Sequence, residues 1–251
     1  MDERVGMRDG VLSALEQRVR RAFCAGGLVD LRSRPRRGED VRHGESWPAE
    51  RRLRADFLVG LLMSPAASEP SGVPALRLAG VAIDGELRLE AAQVRHLIDL
   101  TECWFSHRLD LRMARLAGLR LPGCRVPGLR GHNLAVESDL VLEAGFTSTG
   151  QLDLTDAHVA GSLRLSGAVL RSPGGYALRA DRLMANGAIQ ATALRVVGAT
   201  WLPNARIGGG VDLGAAVLSN PSGDALHGAG MEVSGSFVAE VDGGRFTADG
   251  R

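Results

Sequence analysis

Lysine is absent from this sequence: all 30 basic side chains are arginine, and 29 acidic residues balance them to a formal net charge of +1. A charge so near zero excludes a global field that would draw in nucleic acid or anionic lipid. Aromatic residues make up only 4% of the chain while glycine reaches 33 residues, so a core here must be built from small and aliphatic side chains at regular spacing. The cysteines, Cys24, Cys103 and Cys124, are odd in number and lack CxxC spacing. That excludes a complete disulfide framework and argues against structural zinc, leaving free thiols as the simplest reading. The longest apolar run, Phe57 to Met63, is too short to span a bilayer, and the opening Met-Asp-Glu-Arg-Val lacks the basic start and apolar stretch of a secretory leader. A cytoplasmic chain with no transmembrane segment is the expectation.

What the chain does contain is a repeat. One phrase of about eleven residues recurs from residue 76 onward, best seen in Gly85-Glu-Leu-Arg-Leu-Glu-Ala-Ala-Gln-Val94 and Gly161-Ser-Leu-Arg-Leu-Ser-Gly-Ala-Val-Leu170. The pairs Leu109/Leu111, Ala114/Leu116, Leu119/Leu121 and Cys124/Val126 start at every fifth position, each enclosing one outward residue. No helix repeats with that period, whereas short strands joined by tight corners do. The spacing predicts a β-solenoid over residues 76–251, with two phrases making a coil of roughly 20 to 22 residues and roughly seven to eight coils in all.

A longer match fixes the register. Ala168-Val-Leu-Arg-Ser-Pro-Gly-Gly-Tyr-Ala-Leu178 aligns with Ala216-Val-Leu-Ser-Asn-Pro-Ser-Gly-Asp-Ala-Leu226. Two coils plus one insertion account for the offset between them, which places the Pro173 and Pro221 loops on one edge, two coils apart. In the same register Asp110 and Arg130 stack on one face, with Arg88 a coil before and Asp153 a coil after. Arg115, Arg120, Arg125 and Arg130 fall on successive sides of a four-sided coil, so they form no single basic patch.

Residues 1–75 read as an N-terminal helical cap. Val11, Leu12, Leu15, Val19, Ala22 and Phe23 form one stripe of a helix over 11–24 that Gly26 and Gly27 end, and Leu28 to Leu31 is a short strand. Residues 32–44 read as an Arg-rich loop. Pro48 suits the first turn of a second helix carrying Leu53, Phe57, Leu58, Leu61 and Leu62, with a linker from Pro65 to Pro74. No terminal helix is legible beyond the last coil, so its strand edges are expected to pair with another copy, or the chain is the front part of a longer one.

The five-residue phrase, carried by Ala114-Arg-Leu116, Ala157-His-Val159 and Ala168-Val-Leu170, resembles the pentapeptide-repeat family as a divergent relative. That resemblance implies a right-handed, quadrilateral parallel β-helix, and hence an all-β fold. The order of helical head, Trp47-to-Leu62 segment and Ile/Leu-Arg-Leu phrases is also similar to an actinobacterial group labelled membrane-associated oxidoreductases. It brings no cofactor motif and no residue roles.

Chemistry is sparse in the repeat. Gly208-Gly-Gly-Val-Asp-Leu-Gly214 has the wrong spacing for a dinucleotide loop and continues into another phrase, so it reads as a corner. Cys103 and Cys124 share an inward phrase position one coil apart and read as small core thiols at a separation that a disulfide bridges. The histidines show no metal spacing, and no metal or cofactor is expected. If the chain is an enzyme, with a groove between helical cap and solenoid, His107, His132 and His158 are the first catalytic candidates. Candidate binding residues lie where the repeat breaks: Arg32, Arg36 and Arg37 in the Arg-rich loop, and Pro173, Tyr176, Pro221 and Asp224 in the two proline loops. The leading function is a non-catalytic scaffold that presents a surface to a protein partner or to another copy through the C-terminal coil. An enzyme is the alternative. A DNA mimic that protects topoisomerases is a further one, although it needs a strongly negative face. No clear nucleic-acid site is present, since no aromatic residues interleave the arginines.

Overall fold

A computed structural model describes residues 12–32, 40–64, 72–241, 244–245 and 247–249. From Ala75 onward the chain winds through four stacks of short strands, and every pairing between neighbouring coils is parallel. The first stack includes Ala135–Val136, His158–Val159, Met184–Ala185, Arg206–Ile207 and Glu232–Val233. The second starts at Ala75–Ala79, continues through the latter half of Gln93–Thr101 and runs by way of Leu140–Val141, Leu163–Arg164, Ile189–Gln190 and Val211–Asp212 to Phe237–Val238. The third contains Ala82–Asp84, Trp104–Phe105, Arg125–Val126, Thr147–Ser148 and Val217–Ser219. The fourth contains Leu109–Asp110, Leu129–Arg130, Leu152–Asp153 and Leu226–His227. From Ala75 on, eight rungs of the second stack enclose seven turns.

The five-residue spacing is satisfied because each two-residue strand sends one side chain inward and one outward, and the corner residues carry the chain to the next side. Leu109, Leu111, Ala114, Leu116, Leu121, Cys124 and Val126 are all shut away from solvent, as the phrase positions require. Two opposite corners of the coil adopt left-handed backbone. Ala91, Met113, Asn133, Asp156, Arg182 and Asn204 do so at one, with φ between 53° and 58°, although only Gly, Asn and Asp do this at low cost. Arg115, Arg120, Arg125 and Arg130 lie on four successive stacks. Gly208 to Gly210 form a corner so crowded that an added Cβ on Gly208 would lie 2.3 Å from the Asn186 carbonyl oxygen.

The fourth stack places Asp110, Arg130, Asp153, Arg179, Trp201 and His227 on successive rungs. Its two longest coils, Asp153 to Arg179 and Trp201 to His227, contain the proline loops. Val169, Arg195 and Val217 share a column, so those loops occupy one edge two coils apart, as the sequence match requires.

The head of the chain contains two α-helices and also extends the solenoid. Helix α1 (Ala14–Ala25) carries Leu15, Val19 and Phe23 on its buried side. Its N-terminus is closed by a reciprocal Ser13–Glu16 capping box, its C-terminus by Gly26 in the left-handed region. The strands Leu28–Asp30 (β1) and Arg52–Arg54 (β2) then add parallel rungs beneath the second and third stacks, pairing with Ala75–Ala79 and with Ala82–Asp84. This corrects the helix expected from Pro48. Residues 49–51 make a single 3-10 turn, Leu53 is buried on β2, and the helix α2 begins only at Ala55, ending at Met63. Backbone pairing with the first coil takes precedence over helical propensity there, and Arg52 fixes it with two hydrogen bonds to Asp84 at 2.6 and 2.7 Å. Residues 41–46 form another 3-10 turn where a loop was expected. Within the head Arg54 pairs with the buried Glu16 at 2.8 Å, and further ties hold the head to the first coils: Arg32 to Glu102 at 3.2 Å, and the Phe23 ring edge-on to His96.

Candidate functional site

The fourth stack's outward column reads Arg88, Asp110, Arg130, Asp153, Arg179, Trp201, His227. Its first five members alternate in charge. Asp110 has no exposed side-chain surface and accepts from Arg112 Nε at 2.8 Å and Nη2 at 2.7 Å. The Arg112 guanidinium holds that carboxyl below its usual range, against the opposing effect of burial. The alternation leaves no uniformly acidic strip on this face, which a DNA mimic needs.

The column becomes aromatic where the proline loops emerge. Trp201 and His227 stack with ring centroids 3.8 Å apart and planes 10° from parallel. Tyr176, delivered by the first loop, meets Trp201 at 5.5 Å and 61°. The Arg179 guanidinium lies 5.4 Å from the Tyr176 ring centroid and is itself anchored to Asp181 at 2.9 Å.

Between the loops lies an open cavity of about 270 Å³, lined by Gly174, Tyr176, Trp201, Asn220, Ser222 and Asp224 among others. Two local features shape it. Gly198, in the coil between the loops, has φ +121°, and a Cβ there would come within 2.5 Å of the Ser172 carbonyl oxygen. Asn220 closes the second loop, its Nδ2 donating to the Asp224 carbonyl at 2.8 Å. Its Oδ1 is buried with no donor. Asp224 presents its carboxylate to His227 Nδ1 at 3.6 Å, and its side chain is about half exposed.

Tyr176 and Asp224, at equivalent positions of the two matching loops, therefore line one cavity, while Pro173 and Pro221 flank it on those loops. Trp201, His227, Asn220 and Gly198 lie outside the expected set. The signal for two of them was the register itself, since Trp201 and His227 continue the charge column by one and two coils.

The remaining candidates are dispersed. His107 is at the corner between the third and fourth stacks, with Nδ1 2.9 Å from Ser106 Oγ. His132 occupies the next corner, 4.0 Å from Asp156, and His158 is an exposed outward residue of the first stack. None lines the cavity of about 490 Å³ in the cap, which Leu15, Arg18, Leu31 and Glu50 border. Arg32 is engaged by Asp30 at 2.7 Å as well as by Glu102. Arg36 and Arg37 lie outside the described residues. Cys103 and Cys124 are buried free thiols: Cys124 Sγ donates to the Leu100 carbonyl at 3.0 Å and accepts from the Cys103 amide at 3.3 Å. Among the described residues no group of three or more His, Cys, Asp or Glu is placed to hold a metal, and no helix is long and apolar enough to cross a membrane.

A second feature is the last coil. In the inward column of the second stack Leu140 and Leu163 are fully buried and Ile189 and Val211 are 5% exposed, but Phe237 is 48% exposed. Val233 and Met231 beside it are only partly covered. Comparison with protein-family models, curated proteins and solved structures finds no match to this chain.

Proposed function

We propose that this chain is a non-catalytic β-solenoid scaffold, a divergent relative of the pentapeptide-repeat proteins, whose last coil is an interface with a second copy of the chain. One observation carries this reading: the inward position that is 0–5% exposed in four preceding rungs is 48% exposed at Phe237. A phenylalanine half open to water in a column otherwise sealed by stacking is apolar surface awaiting a neighbour. Among the described residues, Glu232–Val233 and Phe237–Val238 each pair on one side only, so backbone hydrogen-bonding groups accompany the apolar ones. The unpaired buried thiols suit a reducing, cytoplasmic compartment.

Light scattering on the full chain across a concentration series tests it. A mass approaching twice 26.5 kDa is expected at high concentration, reverting to the single-chain mass in Phe237→Arg with an unchanged circular dichroism spectrum. A single-chain mass at every concentration, or a dimer untouched by the substitution, overturns the reading.

A further inference from the structure

The cavity between the proline loops has a one-sided chemistry. Its lining contains one carboxylate, Asp224, and no Arg or His. Ser222 contributes a hydroxyl, and Asn220 brings a carboxamide whose oxygen is buried and receives no donor. The orientation of that amide is fixed, because turning it over would set its oxygen against the Asp224 carbonyl that Nδ2 now contacts at 2.8 Å. Tyr176 and Trp201, inclined at 61°, supply aromatic walls rich in π electrons. Carboxylate and aromatic rings favour the same guest, one that is positively charged and has apolar flanks.

We infer that this cavity binds an organic ammonium or guanidinium group. The two nearby basic side chains do not fill that role. Arg179 is tied to Asp181 and does not line the cavity, and His227, held flat against Trp201 on the adjoining rung and outside the lining, approaches the Asp224 carboxylate only to 3.6 Å, beyond hydrogen-bonding distance. The volume of about 270 Å³ admits a group the size of choline or the end of a basic side chain. The loops that form it are the two large insertions in the solenoid, and each depends on a local feature, the Gly198 backbone for the first and the Asn220 side chain for the second. The site is independent of the terminal-coil interface, since Phe237 does not border it.

The test uses the full chain and follows the Trp201 indole N–H by ¹⁵N NMR, assigned by its loss in Trp201→Phe. Choline, tetramethylammonium, and short peptides bearing lysine, trimethyl-lysine or arginine are titrated separately. The peptide arms distinguish a side chain of a protein partner from a free metabolite. Saturable shifts with a Kd of about 1 mM or tighter are expected for at least one cation, weakening about ten-fold in Asp224→Asn and several-fold in Tyr176→Leu. The uncharged carbon analogue of choline, 3,3-dimethylbutan-1-ol, should bind at least about ten-fold more weakly. Equal binding of that analogue, an Asp224→Asn affinity equal to wild type, or no saturable shift with any cation overturns the proposal. Because Asp224 is on a loop surface and its backbone carbonyl, which accepts from Asn220, is retained in Asn, the variant keeps the fold and the comparison stays valid.

Discussion

Trp201 and His227, one full coil apart in sequence, are partners on adjacent rungs of the fourth stack, their rings 3.8 Å apart and nearly parallel. Stacking of this kind arises because parallel in-register strands set equivalent side chains directly above one another, about 4.8 Å apart along the solenoid axis. The same geometry that alternates arginine with aspartate lower in the column brings two planar rings together here, beside the cavity.

A double-mutant cycle of Trp201→Ala and His227→Ala, followed by urea unfolding, should give a coupling energy of about 0.5–1.5 kcal/mol. Additive effects within about 0.3 kcal/mol would show that the rings stack without contributing to stability.

Gly198→Ala should be severely destabilising, by about 2–3 kcal/mol. Its φ of +121° is closed to residues with a Cβ, and the carbonyls of Ser172 and Gly175 leave no room to relax. Thermal denaturation measures this. An unchanged melting temperature would contradict the backbone described for the 172–176 loop.

Asp110 links stability to pH. Its pKa is lowered in the folded chain, principally by the Arg112 hydrogen bonds, so its contribution is fully present above the ordinary carboxylate value of about 3.9 and is lost as pH falls through the lower folded value. Asp110→Asn should lower stability by about 1–3 kcal/mol at pH 7 and reduce the loss on acidification. Urea midpoints at pH 7 and pH 3 check both parts, and parallel curves for the two proteins would exclude the linkage.

Thiol reactivity should separate folded from unfolded chain. Burial pushes the Cys124 thiol well above its usual range and the Cys103 contact adds to this, so Cys124 supplies little thiolate near neutral pH. Cys103 is equally shut away from any reagent in solvent. Alkylation at pH 7.5 followed by mass spectrometry should leave both unlabelled in the native state and labelled in urea. Rapid native labelling of either would show that the coil opens locally.

The legible part of this molecule was the periodic part. Alternation of inward and outward residues is written directly into neighbouring positions, so Ala114/Leu116 and Cys124/Val126 disclosed their burial without a structure. The match between the segments beginning at Ala168 and Ala216 located the edge that carries both loops. Residues 48–54 were misread because Leu53, Phe57, Leu58, Leu61 and Leu62 fit a helical stripe, whereas residues 52–54 take their partner from Ala82–Asp84, far downstream in the chain. Helix periodicity is local, and strand pairing of this kind is not.

The candidate cavity was half visible. Tyr176 and Asp224 stood out as departures from the repeat, and Trp201 lay within reach of register arithmetic. Asn220 and Gly198 did not, because their roles come from one carbonyl contact and one backbone angle.

The repeat alone establishes that the chain coils, roughly how many residues make a turn without a loop, and which side chains form the core, since a period-five pattern admits few other ways to bury its apolar residues. Three features emerge from the folded coil instead: the head supplies two further rungs, the charge column ends in stacked aromatics, and the two loops enclose a shared cavity. Those outcomes depend on contacts between residues a full coil or more apart, and their distances are set by stacking rather than by sequence neighbours.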